Sequence, residues 1–173
     1  LARLGYVVFS YDMVGYNDSG KQVGPHSGVF ASPANELWGL SLMHLQSWNT
    51  LRVLDWLQSL PDVDPKRLGV TGCSGGGTQT FMVMGIDPRV TAAAPVNMIS
   101  GTMQGGCECE NAPLLRIEAC NIEIGALMAP RPLIMCSVTD DWTRETPQVE
   151  YPSIRRAYEL YGVPDRVINV HDK

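Results

Sequence analysis

Gly72-Cys73-Ser74-Gly75-Gly76 is the segment whose residue types and spacing are best suited to chemistry. It matches G-x-S-x-G, the turn that lifts a nucleophilic serine between a strand and a helix. With 11 serines and 17 glycines in 173 residues, chance supplies about 0.1 such matches, so the context has to decide. A β-rich run, Leu68 to Thr71, enters the segment and a helix-like run, Thr78 to Met84, leaves it. A turn this sharp holds Ser74 in a strained backbone and draws strand and helix together. Side chains two positions before and after would collide, so Gly72 and Gly76 are both expected to be required. The N–H of Gly75, at the helix start, is the expected oxyanion donor. A phosphate-binding reading of the same glycines fails: no Lys precedes Thr78, as a P-loop needs, and Gly72-Cys73-Ser74 is not G-x-G.

A serine hydroxyl attacks only when a histidine takes its proton and a carboxylate orients that histidine. The chain has three histidines, His26, His44 and His171. His44 lies within a helical pattern, where a packing or surface role is expected. His26 precedes the serine in a loop-like stretch.

The elements that must position these groups alternate short apolar runs with helical stretches. Five runs read as strands: Tyr6 to Tyr11, Leu68 to Thr71, Val90 to Val96, Pro132 to Val138 and Arg166 to His171. Their continuous apolar character predicts burial on both faces, as in a parallel sheet. Asn35 to Leu60 carries Leu37, Leu40, Leu45, Trp48, Leu51, Leu54, Leu57 and Leu60 near a 3.6 period, predicting one long helix stopped by Pro61. Helices are also predicted over Gly75 to Gly85 and Tyr151 to Tyr161. Val14 to Pro33 and Asn97 to Pro113 read as loops. Strands alternating with helices give an α/β, mostly parallel, doubly wound sheet in a single domain over residues 1–173. Trp38, Trp48 and Trp56 on the long helix are expected in the core, and Trp142 remains a candidate for a sugar site.

Apolar residues make up 45% and charged residues 18%, as in an ordinary globular core, and the net charge is −5. An acidic chain without a basic patch argues against nucleic acid as a partner. No apolar run reaches the roughly 18 residues of a membrane span. The five cysteines, Cys73, Cys107, Cys109, Cys120 and Cys136, form no CxxC pair. Cys107-Glu108-Cys109, without a second pair or a nearby His, is a poor zinc site, and buried or idle thiols are expected. No cofactor and no metal is called for.

Asp62 to Gly76, which leads into the serine, resembles the approach to the nucleophile in α/β-hydrolases of the acetyl xylan esterase and dienelactone hydrolase type. Asp12-Met13-Val14-Gly15-Tyr16-Asn17-Asp18-Ser19 resembles their D-x-x-G-x-x-x-S loop after strand four. Pro95-Val96-Asn97-Met98 and Ala129-Pro130-Arg131-Pro132-Leu133 resemble the approaches around strands six and seven. The similarity runs over nearly the whole chain and is strongest to bacterial acetyl xylan esterase-like hydrolases. It implies an α/β-hydrolase fold and ester hydrolysis by Ser74, without a cofactor, on a small ester or an acylated carbohydrate, with acetyl as the expected acyl group. It places the triad acid after the fourth run. Asp141 fits relatives with G-D-W-T and is preferred; Asp140 fits those with G-x-x-D; Glu108 and Glu110 are lesser candidates. Chain order makes His171 the base candidate over His26, although relatives carry that His a few residues later, so a base beyond Lys173 is the stronger expectation.

The same resemblance assigns the five runs to strands four to eight. The third strand and the loop that gives the second oxyanion donor are then missing, so the chain is expected to be incomplete at both ends. Exported relatives leave export as an expectation for the full-length protein, and the oligomeric state stays open. Two other readings remain: a prolyl-oligopeptidase-like serine peptidase, which shares the elbow, and a hydrolase-fold binding module without catalysis.

Overall fold

The computed structural model describes residues 1–24, 26, 28, 30–102, 105–112 and 114–173. Parts of the two expected loops, at Pro25, Ser27, Val29, Met103, Gln104 and Pro113, lie outside the described residues. In chain order the elements are α1 (Asn17–Val23), α2 (Pro33–Leu37), α3 (Leu42–Gln58), β1 (Leu68–Cys73), α4 (Gly75–Ile86), β2 (Val90–Val96), α5 (Asn121–Ala126), β3 (Leu133–Val138), α6 (Glu150–Leu160) and β4 (Val167–Asp172). The strands form one all-parallel sheet in the order β1-β2-β3-β4. Cys73, Val96, Cys136 and Val170 share a row near its carboxyl edge.

Sequential parallel strands joined by crossovers of one hand place α4, α5 and α6 on one face. The core sits there. Phe81, Val83 and Met84 of α4 meet Val90, Ala93, Leu133, Met135 and Val167 of the sheet and Ile154 and Tyr158 of α6. Each such burial is worth about 1.5–3 kcal/mol. The other face is open: Thr71, Cys73, Ile134, Ile168 and Val170 are exposed. Burial on both faces, expected from the apolar runs, is therefore not met among the described residues.

Four of the five expected strands form the sheet. The first, Tyr6 to Tyr11, does not. A strand needs a neighbour's N–H and C=O groups, and none among the described residues lies beside this run. Its aromatic side chains rest on α3 instead. The Phe9 ring lies 4.7 Å from Trp56, and the Tyr11 hydroxyl is 2.6 Å from Thr50 Oγ1.

The expected long helix is two helices. Gly39 takes a left-handed φ of 66°, and Ser32 and Ser41 cap α2 and α3 by accepting the N–H groups of Asn35 and His44. The break takes Leu37, Trp38 and Leu40 off the packed face. The core role expected for Trp38, Trp48 and Trp56 is also not met, because all three are exposed. Trp48 lies under the Arg52 guanidinium at 4.4 Å, and Trp56 meets Phe9. His44 is on the surface, its Nδ1 2.7 Å from the Gly39 carbonyl. Part of the loop expected over Val14 to Pro33 is helical, as α1.

The crossing of β1 with α4 is tight enough to dictate residue type. A Cβ on Gly72 would lie 2.5 Å from the Gly76 carbonyl oxygen. One on Gly77 would lie 2.6 Å from the Val96 carbonyl oxygen, on the neighbouring strand. A Cβ on Gly76 would meet nothing within 4 Å. The expected need for Gly72 holds, but the second required glycine is Gly77, not Gly76. Gly76 lies opposite Gly72 as the backbone being approached.

The far end of α4 is held by charge. Arg131 donates to the carbonyls of Met84 at 2.6 Å, Val90 at 2.7 Å and Asp87 at 3.1 Å, so it satisfies helix-end acceptors. Asp87, largely buried, takes a forked contact from Arg89, with Nη2 2.6 Å from Oδ2, and Arg89 reaches on to Asp55 at 2.6 Å. The Arg89 hydrogen bonds hold the Asp87 carboxyl below its ordinary range, against an opposing push from burial.

Two outcomes follow for the full-length protein. Gly72→Ala and Gly77→Ala should each lower the stability measured by urea unfolding by about 1–3 kcal/mol, since backbone must move. Gly76→Ala, with open space and a better helix former, should be neutral or stabilising by up to about 1 kcal/mol. Because Asp87 is depressed in the folded state, its contribution is complete above the unfolded carboxylate range near pH 4 and disappears as pH falls through the lower folded value. Asp87→Asn should therefore cost about 1–3 kcal/mol at pH 7 and flatten the acid limb of stability measured by denaturation from pH 7 to 2.

Candidate active site

Ser74 sits on the carboxyl edge of the sheet, where β1 ends and α4 begins. Its φ of 54° and ψ of −123° lie where L-residues are strained, and the residue is exposed. Its N–H reaches the Val96 carbonyl at 3.3 Å, and its own carbonyl accepts the Thr78 N–H at 2.9 Å. A serine at a helix start ordinarily turns its hydroxyl onto the first turn of that helix. Ser74 does not: α4 has no side-chain cap, and the hydroxyl points to Glu110 Oε1 at 3.5 Å. The first N–H groups of α4, Gly75 among them, are left to face a charge forming at the serine, with the helix dipole behind them.

Glu110 arrives on a loop folded around itself. Its carboxylate accepts the N–H groups of Gly106 and Cys107, the latter at 3.3 Å, and it is buried. Asn111 donates to the Cys107 carbonyl at 2.8 Å, and Arg116 donates to the Glu110 carbonyl at 3.2 Å. Burial pulls the Arg116 guanidinium below its ordinary range, with the Glu110 charge opposing. Cys109, wholly buried, lies 3.2 Å from where a Cβ on Gly75 would stand. The Tyr16 hydroxyl is 3.6 Å from the Cys109 sulfur, and the Tyr16 ring stacks on His26 with centroids 4.6 Å apart. Burial first, then contact with Cys109, pushes the Tyr16 phenol above its ordinary range. Burial and the bond to Cys107 push the Cys109 thiol up to about 12.

Cys107, Cys109 and Glu110 place their ligand atoms within 4.8 Å of one another, the one group among the described residues with a metal-ligand composition. It suits an ion poorly. Two thiolates on a tetrahedral zinc at about 2.3 Å would stand about 3.8 Å apart. These sulfurs are 2.6 Å apart, and both carboxylate oxygens already accept hydrogen bonds.

The other expected groups lie apart from the serine. Asp141, in the loop after β3, holds the N–H and hydroxyl of Thr143 on Oδ1 at 2.6 and 2.5 Å, and Oδ2 has no partner among the described residues. Asp140 is exposed, with no hydrogen-bond partner among them. Trp142 donates to the Asn97 carbonyl at 2.7 Å, which ties its half-exposed ring to the strand end beside Ser74. His171 lies across the sheet from the serine. From the row through Cys73, Val96, Cys136 and Val170, three strand spacings of about 4.8 Å separate β1 from β4, about 14 Å in all. Its ring is engaged on the next strand, with Nδ1 2.8 Å from Ser137 Oγ and Nε2 3.3 Å from Thr139 Oγ1. Among the described residues no histidine hydrogen-bonds to Ser74, Asp140 or Asp141.

The structure brings Ser74, Gly75 and Glu110 together, and adds Tyr16 and Cys109, which carried no signal of their own in the sequence. Only Cys107-x-x-Glu110, a helix-start spacing with the carboxylate folding back, hinted at how Glu110 is held. An open cleft of about 570 Å³ adjoins the same loop, between Glu36 and Leu40 on one side and Glu108, Asn111 and Leu114 on the other. No helix among the described residues is long and apolar enough to cross a membrane.

The chain is similar to several known esterases. A 4-O-methyl-glucuronoyl methylesterase of Schizophyllum commune is 27% identical over 190 residues, covering 91% of this chain and 48% of that protein. The solved structure of the methylesterase BT1017 is 40% identical with a TM-score of 0.79, covering 93% of this chain and 35% of that one. A CE15 glucuronoyl esterase from Caldicellulosiruptor kristjansonii shares the fold, with a TM-score of 0.68 at 18% identity over 88% of this chain and 52% of its own. The chain thus spans about half the length of these relatives or less. The fold is that of the α/β-hydrolases, shared with these carbohydrate esterases. The family described as Glucuronyl esterase, fungi, matches residues 2–112, which run through the strand, the serine turn and the Glu110 loop, and the chain belongs to that family.

Proposed function

We propose that the full-length protein is a serine hydrolase of carbohydrate esters in which the sugar supplies the carboxyl group, so that a uronic acid ester is cleaved and an alcohol leaves. The observation that carries this is the Ser74 hydroxyl, strained at the elbow, turned from its own helix and aimed at a buried carboxylate. The names of the relatives above favour a uronoyl ester over the acetyl ester expected at first. A half-exposed Trp142 beside the serine offers a flat face for a sugar ring, and the cleft at Glu36, Glu108 and Asn111 offers acceptors for hydroxyls.

Ser74 attacks the ester carbonyl, the alcohol leaves, and water releases the uronate from the acyl-enzyme. The oxygen that becomes negative faces the N–H of Gly75 at the start of α4. Glu110 orients the serine hydroxyl, whose proton must pass to a base. A histidine performs that step, oriented by the open oxygen of Asp141; Asp140, more exposed, is the alternative acid. His171, with its ring nitrogens at Ser137 and Thr139, is the weaker candidate for that base.

The full-length protein should hydrolyse the methyl ester of glucuronic acid at least tenfold more efficiently than an aryl acetate, compared as kcat/KM. A fluorophosphonate should attach at Ser74, and Ser74→Ala should lose at least about 10³ in kcat. Labelling elsewhere, or a preference for acetate, would overturn the nucleophile or the substrate class respectively. Among the acids, Asp141→Asn should lose about 10⁴ in kcat, Asp140→Asn little, and Glu110→Gln an intermediate amount. A larger loss for Glu110→Gln would move the acid role there. His171→Ala should keep kcat within tenfold.

A further inference from the structure

Two cysteines in the loop that presents Glu110 meet sulfur to sulfur. Cys107 Sγ and Cys109 Sγ, separated in sequence by Glu108 alone, are 2.6 Å apart. Non-bonded heavy atoms settle at about 3.5–4.0 Å, so this contact is far inside the ordinary range. Cys73, Cys120 and Cys136 make no such contact among the described residues. A metal ion would need the two sulfurs spread apart, as shown above. The placement suits a bond between them.

We infer that Cys107 and Cys109 are the site of a reversible disulfide that holds the turn presenting Glu110 to Ser74. The Glu110 carboxylate binds the Cys107 N–H, so the start of the turn and the carboxylate move as a unit. Cys109 precedes Glu110 and is wedged against Gly75 and the Tyr16 hydroxyl. Joining the two sulfurs ties the start of the turn to the residue packed on the elbow. The loop closed is very short, so the gain through chain entropy is small. The consequence is local geometry at Glu110 rather than global stability.

The bond forms by exchange with a small-molecule disulfide. Cys107, the half-buried and more accessible of the two, attacks as its thiolate. One sulfur–sulfur bond forms, the reagent's bond breaks, and the released thiolate takes a proton from solvent. Cys109 then gives up its proton to solvent, attacks the Cys107 sulfur and expels the second thiol. Two protein thiols are oxidised and one disulfide is reduced to two thiols. Burial holds the Cys109 thiol up to about 12, so ring closure is slow at neutral pH and speeds up as pH rises.

The covalent half of this inference stands independently, while the positioning half rests on Ser74 being the nucleophile. The test uses the full-length protein incubated with oxidised glutathione, then denatured and alkylated without reduction. The peptide holding Cys107 and Cys109 should be unalkylated and lighter by two hydrogens, with Cys73, Cys120 and Cys136 alkylated. Reduction by a dithiol should reverse this and lower kcat on the methyl ester by about tenfold with KM within about twofold, the response expected of a displaced positioning group. Cys107→Ser with Cys109→Ser should match the reduced enzyme, ignore the dithiol, and melt close to the parent. Alkylation of both cysteines after oxidation, or pairing of either with another cysteine, would overturn the disulfide. An unchanged kcat on reduction would overturn its positioning role. Ser74→Ala carried through the same mapping separates the two readings. An inactive Ser74→Ala without the disulfide refutes this inference alone, whereas an active one removes the positioning role and leaves the mapped bond standing.

Discussion

The close approach of α4 to the sheet governs the rest of this structure. Two backbone contacts set it: Gly72 against the Gly76 carbonyl, and Gly77 against the Val96 carbonyl. At 2.5 and 2.6 Å from the position of an added Cβ, neither tolerates a side chain, and neither neighbour is a flexible side chain that could yield. With the helix pressed this near, the chain must reverse between Cys73 and Gly75 within one residue. That residue takes the strain, and its side chain is driven outward from the carboxyl edge. The serine's exposure is thus a consequence of packing two elements away from its hydroxyl.

The same approach explains how thoroughly α4 is buried. Gly77 to Phe81, Val83 and Met84 are all inaccessible, in a helix that carries no charged residue. A helix so apolar cannot satisfy its ends with water alone. At its carboxyl end Arg131, reaching from the segment before β3, takes the Met84 and Asp87 carbonyls. At its amino end no side chain takes the N–H groups. One end is closed by a half-buried cation and the other is open at the serine. This asymmetry gives the turn its capacity to receive a developing negative charge, since the donors need not first be freed from another partner.

Legibility in the sequence followed the range of the interactions involved. β2 was read to the residue and β1, β3 and β4 to within two, because apolar runs bounded by turn residues report local burial. The elbow was legible because its glycine spacing is a local steric demand. The choice between Gly76 and Gly77 was not, since the Val96 carbonyl that excludes a side chain at Gly77 belongs to another strand. The apolar period over Asn35 to Leu60 carried across Gly39 without a sign of the break. The break shows only in capping residues: Ser41 is a helix start inside the supposed helix, and Ser32-Pro33 is another just before it. The tryptophans misled because a large apolar side chain at helical spacing reads as core, while Trp48 and Trp56 find an Arg52 guanidinium and a Phe9 ring at the surface.

The site divides along the same line. Ser74 and Gly75 come from one turn and could be read from it. Glu110 is 36 residues away and meets Ser74 only because Asn97, after β2, opens a loop that returns over the elbow. Nothing in the loop's composition singles out Glu110 over Glu108. Their geometry does: Glu110 turns its carboxylate back onto the N–H groups of Gly106 and Cys107, whereas Glu108 reaches outward to the Gly28 N–H at 2.5 Å. A carboxylate fixed by backbone donors on one oxygen keeps the other free to point in a single direction, and here that direction is the serine hydroxyl. The arrangement therefore supplies position and strain at the serine hydroxyl, with open helix N–H groups beside it, all from within one edge of the sheet.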